Sequence, residues 1–154
     1  MITRRCITTG LALAAMLVLG CGQSPTEVTG SISFETVLKA SLPGNSLDLP
    51  EQETVRDRAR WQTVWMDLHA GNPTPPPEVD FSREMVVLVV GPGCGGRVDI
   101  SAIEHEGNGL VVSGETHSCT NHICAIADFA VHVVRLPRFE GPVRFAVKRD
   151  VGLC

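Results

Sequence analysis

Residues 85–96 read MVVLVVGPGCGG. Met85 to Val90 are apolar without a break. A strand with one wet face alternates polar and apolar residues, so an unbroken valine-rich run closed by glycine and proline reads as a strand at the centre of a sheet. The next stretch, Gly91 to Gly96, formally fits GxGxxG. A dinucleotide fingerprint needs a helix to follow, whose first amides hold the pyrophosphate. Arg97 to Glu106 instead alternates through Val98 and Ile100. The glycines therefore read as a turn or bulge between two strands, and no nicotinamide or flavin site is expected.

Strand patterns surround this centre. Asn108-Gly109 is a hairpin signal, and Leu110 to Gly114 is the returning strand. Ala130 to Leu136 is another strand, closed by Pro137. Gly141-Pro142 turns the chain into Val143, Phe145 and Val147, a clean period of two. Upstream, Ser31 to Ala40 reads as a first strand and Glu53 to Arg56 as a short one, with a loop over Leu42 to Glu51. One helix stands out, from Arg58 to Ala70. Trp61, Val64, Trp65 and Leu68 form a single apolar stripe at i, i+3, i+4 and i+7. Asp57 suits its N-cap, and Gly71 or Asn72 its stop. The tryptophans on the stripe read as core anchors. Prolines 75–77 cannot join a ladder and read as a rigid, extended connection. The fold class that follows is α+β: a mainly antiparallel sheet, curled toward a barrel, with one packed amphipathic helix.

The N-terminal residues carry a different signal. Arg4 and Arg5 precede an apolar run from Leu11 to Leu19, which is the anatomy of a secretory signal peptide and too short for a spanning helix. The run ends in Val18-Leu19-Gly20-Cys21, which resembles the lipobox of bacterial lipoproteins. That resemblance implies a signal peptide over 1–20, a lipidated Cys21 and a tether over 21–30, leaving one domain over 31–154. Several acyl chains would hold such a protein stably at a membrane. Gly22 after the cysteine implies sorting to the outer membrane, on its periplasmic side. The net charge is −4 at pH 7, and no basic cluster follows the signal, so nucleic acid is not an expected partner.

Export decides how the cysteines are read. Cys94, Cys119, Cys124 and Cys154 remain after Cys6 and Cys21 are set aside, an even number in an oxidising compartment. His117 to Cys124 reads HSCTNHIC. A Cys119–Cys124 staple is the simplest use of this stretch, and Cys94–Cys154 would clasp the tail. In a chain-entropy picture these contribute about 2 and roughly 4 kcal/mol. Four cysteines allow three pairings, and the others stay open. The alternative is a zinc or copper site from His117, Cys119, His122 and Cys124. Its H-x-C-x-x-H-x-C spacing is not that of a finger or ribbon. Four residues separate the two cysteines, so a C-x-x-C redox centre is not expected. His69 suits a helix C-terminus, His105 reads as solvated and His132 as a packed strand residue. There is no GxSxG, no HExxH and no carboxylate pair, so no enzyme, catalytic residue or cofactor is expected.

One family resemblance joins these parts. The order is WQTVW, a proline-rich gap, VDFSREMVVLVVGPGCGGRVDI, then VHVVRLPR and PVRF. It resembles the C-terminal domain of the protease-complex-subunit PrcB family. Trp61, Trp65, Asp80-Phe81, the strand through Val90, Gly95-Gly96 and Val134 to Arg138 carry the resemblance, over roughly 54–147. It implies a noncatalytic envelope lipoprotein that assembles with or stabilises a secreted protease. Arg97 and Ala130-Val131 stand where the family pattern has aromatic or proline residues.

Overall fold

The computed structural model describes residues 30–44, 49–69, 74–121 and 127–153. In chain order these form β1 (Glu35–Pro43), β2 (Gln52–Val55), α1 (Arg58–Leu68), β3 (Glu84–Pro92), β4 (Arg97–Glu106), β5 (Gly109–Cys119), β6 (Asp128–Pro137) and β7 (Val143–Gly152). The strands make two sheets, one ordered β1-β6-β3-β2 and one ordered β4-β5-β7. The α+β class stands. The expected curl toward a barrel does not: two separate sheets face each other, and no closed barrel forms among the described residues.

The unbroken run over 85–90 has a direct cause. β3 lies inside the four-stranded sheet, between β6 and β2, with both faces covered. Val86, Leu88 and Val90 point to the layer that holds Trp61, Val64, Trp65 and Leu68 of α1. Met85, Val87 and Val89 point the other way, toward Val98, Ile100, Ile103, Leu110 and Val112 of the second sheet. The molecule is thus three layers, helix on sheet on sheet, and β3 has no wet face on which a polar residue would fit. Burying a valine or leucine fully contributes about 1.5–3 kcal/mol, so a strand buried on both faces is a large apolar contribution to the fold.

The helix starts as its sequence indicates. Asp57 has extended backbone, and its carboxylate accepts the Arg60 amide at 2.8 Å. The expected stop at Gly71 or Asn72 lies outside the described residues, and His69 occupies the C-cap. Both tryptophans are buried and both indole N–H groups find acceptors: Trp61 Nε1 donates to the Pro77 carbonyl and Trp65 Nε1 to the Thr74 carbonyl, each at 3.0 Å. The proline-rich segment has no ladder of its own, so its carbonyls are free to receive them. The tryptophans are core anchors as expected.

Three further differences concern register. The first strand begins at Glu35 rather than Ser31. Residues 30–32 lie instead along β4, where the Ile32 amide donates to Ile103 O at 2.8 Å and the His105 amide to Gly30 O at 3.1 Å. His105 is half-buried with its ring against Phe139 at 5.6 Å, not solvated. β7 runs parallel to β5, a parallel pairing within a mainly antiparallel fold.

The glycine turn between β3 and β4 folds around a carboxylate from β6. Asp128 Oδ1 accepts the Cys94 amide at 2.5 Å. Cys94 is left-handed, with φ 64°, and Gly95 follows at φ 78°. Successive left-handed amides make a concavity that suits an anion, and here the anion is internal. Gly93 is obligatory, because a Cβ there would sit 2.0 Å from the Asp128 carbonyl oxygen. The GxGxxG pattern is thus a β-turn filled by the protein's own aspartate.

Candidate functional site

The HSCTNHIC stretch divides in two. His117, Ser118 and Cys119 are the last residues of β5, not loop, and residues 122–126 lie outside the described region. The polar composition hid the strand end. There β5 has a charged edge partner on each side: His117 sits opposite Arg97 of β4 and Asp150 of β7. His117 is buried, and its Nδ1 lies 2.6 Å from Asp150 Oδ2. Gly152 leaves room for the ring, since a Cβ there would approach its Cε1 to 3.3 Å. Asp150 was not among the residues picked out by sequence. Its link to His117 depends on a parallel pairing 33 residues away, and no local pattern announces it.

The four residues of the alternative metal site do not come together in the described structure. Nδ1 of His117 is engaged by Asp150, and Cys119 is disulfide-bonded. His122 and Cys124 lie outside the described residues. Among those described, no group of three or more histidine, cysteine, aspartate or glutamate side chains is placed to hold an ion. Cys94 is likewise disulfide-bonded. Both expected staples end on Cys124 or Cys154, outside the described region, as is Cys21.

The two open sides of the sheet sandwich are built differently. On the β1/β4 side, residues 30–32 lie along the edge of β4, and Lys39 Nζ reaches Asp99 Oδ1 at 2.7 Å. Beneath them His132 is 3 % exposed and bound at both nitrogens. The Ile100 amide donates to Nδ1 at 2.8 Å, and Nε2 lies 3.0 Å from Thr36 Oγ1. Because Nδ1 accepts, the proton is on Nε2 and the ring is neutral. Burial, and then Lys39, hold its pKa below the ordinary 6.5, against a smaller upward pull from Asp99.

On the β2/β7 side the sheets part. A cleft of ≈ 390 Å³ opens between Leu49, Val89 and Pro92 on one wall and Val147, Arg149 and Val151 on the other, with Thr116 and Ser118 in its floor. An exposed ion pair, Arg149–Glu51, spans its mouth. Val151 is 66 % exposed and Leu153 79 %, two of the three large apolar side chains left on the described surface. β7 is the last strand of its sheet, and its far edge carries no strand among the described residues. A wider, more open hollow of ≈ 690 Å³ lies by Phe34, Arg83 and Arg135, where Arg135 pairs with Glu35 at 2.5 Å and with Glu84 at 3.5 Å.

A mixed apolar and polar cleft thus lies beside a strand edge that is open among the described residues. Among the described residues no nucleophile–base pair is assembled along it: Ser118 lines the cleft, while His117 alternates to the other face of β5. Compared with known proteins, the chain matches no family model, no curated protein and no solved structure.

Proposed function

We propose that this chain is a noncatalytic, lipid-anchored domain of a bacterial cell envelope that binds another protein through its β2/β7 side. The partner class is a secreted or envelope protease, as the resemblance to the PrcB family implies. The observation that carries the reading is the cleft itself. It carries apolar side chains on both walls, the exposed Val151 stands at its rim, and it is bordered by an edge of β7 that bears no strand among the described residues. An extended polypeptide segment fits such a place, because a strand edge supplies backbone hydrogen bonds and a cleft receives alternate side chains. Anchoring through Cys21 rests on the lipobox-like Val18 to Cys21.

The test uses the full-length lipidated protein, purified in mild detergent from its own envelopes. Val151→Glu places a charge at the cleft rim without entering the core. The expected result is a protease that copurifies with the wild type and is lost with the variant. Equal recovery with both proteins would remove the β2/β7 side from the proposal, and recovery of no protease would remove the partner.

A further inference from the structure

His132 makes contacts that neither a core residue nor the binding proposal requires. It stands in β6 with its ring between the sheets. Its Nδ1 takes the Ile100 amide from β4, and its Nε2 meets Thr36 of β1, so one imidazole ties three strands and both sheets. β4 is the outer strand of its sheet, and the Ile100 amide points away from β5. The ring thus takes the place of a missing neighbour strand. The β4–β5 register shifts between Ile100 and Ala102, so the ladder is already interrupted beside this bond.

We propose that His132 is an acid-sensitive latch that holds the β1/β4 side of the molecule shut. A proton from solvent adds to the lone pair on Nδ1. That lone pair is the acceptor of the Ile100 N–H, so two N–H groups then face each other and the bond is lost. Nε2–H still donates to Thr36, so the ring stays on β1 while β4 is released. Asp99 Oδ1 lies 3.4 Å from Nδ1 and already holds Lys39. It is the acceptor the new N–H turns toward, and taking it up loosens Lys39. The charged groups that face His132 are Lys39 from β1 and Asp99 from β4, while its register partner on β3 is Val89, which is apolar. The depressed pKa of the ring agrees with a site that resists the proton until the seam opens. Residues 30–32 lie along the same edge of β4, so the latch sits where the N-terminal segment joins the domain.

Amide hydrogen exchange by NMR reads the latch directly. After correction for intrinsic rates, the opening of the Ile100 amide is expected to rise by up to about tenfold per pH unit below the ordinary histidine value. Amides of β3 should lag behind. His132→Gln can keep the two bonds but cannot take the proton, and should remove the pH dependence. Two surface variants separate a latch from a merely packed ring. Asp99→Asn takes away the one favourable charge and should move the transition to lower pH. Lys39→Met takes away the unfavourable one and should move it to higher pH. Ile100 protection that is flat from pH 7 to 5, or a transition that neither surface variant moves, would overturn the proposal.

Discussion

The two open sides of one sandwich have opposite constructions. On the β1/β4 side polar groups are tied across the seam: residues 30–32 pair along β4, Lys39 reaches Asp99, and His132 takes the Ile100 amide. On the β2/β7 side the sheets part around a cleft whose mouth is spanned by the exposed Arg149–Glu51 pair, and Arg56, just after β2, donates to the Phe139 and Gly141 carbonyls ahead of β7. The difference teaches where each side keeps its free energy. Buried hydrogen bonds are costly to lose because the stranded partner cannot reach water. Exposed ion pairs cost little to lose, since solvent already screens them. A closed side of the first kind stabilises the fold, and an open side of the second kind leaves the surface that the proposed partner would use.

Substitutions should reproduce that contrast in order of size. His132→Ala removes both bonds and strands the Ile100 amide in the interior, so chemical denaturation should show a loss of about 2–4 kcal/mol. A loss as small as that of the open-side variants would break the comparison.

The pH dependence comes next. The folded-state pKa of His132 lies below the ordinary 6.5, so at mildly acid pH the unfolded chain binds the proton that the folded one refuses. Its contribution is therefore complete above the ordinary value and is lost as pH falls below it. The slope it adds is at most about 1.4 kcal/mol per pH unit. Denaturation midpoints measured from pH 7 to pH 5 should fall in the wild type and fall less in His132→Gln.

Asp150→Ala should cost less, about 1 kcal/mol, because it leaves the buried Nδ1 of His117 without its partner at the end of β5. Heat denaturation of the variant, with Glu115→Ala as an exposed control on β5, the strand of His117, checks this. Arg149→Ala should lie within about 0.5 kcal/mol of the wild type, because both ends of its ion pair are exposed, 71 % and 69 %. A loss near that of His132→Ala would show that the cleft is held shut rather than left open.

Much of the fold was legible wherever neighbours in sequence are neighbours in space. The stripe through Trp61 and Leu68, the N-cap at Asp57 and the doubly buried run over 85–90 follow from local periods, and the hairpin forms as expected except that its turn residues are Gly107-Asn108, with Gly109 already in β5. The candidate site was not. His117 was conspicuous for its cysteine neighbours, but its partner Asp150 comes from a parallel strand, and parallel pairing leaves no turn to read. The cleft arises from two sheets diverging, which depends on the whole layer arrangement. His132 reads from sequence as a packed strand residue, and it is one, yet its bonds to Thr36 and Ile100 span 96 and 32 residues. The glycine turn misled in form only: its pattern suits an anion, and Asp128 supplies one from β6.

The contrast between the two sides is tested most directly by photo-cross-linking in intact envelopes. One full-length protein carries the photoreactive residue at position 151, on the cleft rim, and a second carries it at position 39, on the closed side. The expected result is a discrete adduct with one envelope protein from position 151 and none from position 39. Adducts from position 39 alone, or equal adducts from both, would contradict a binding face on the β2/β7 side.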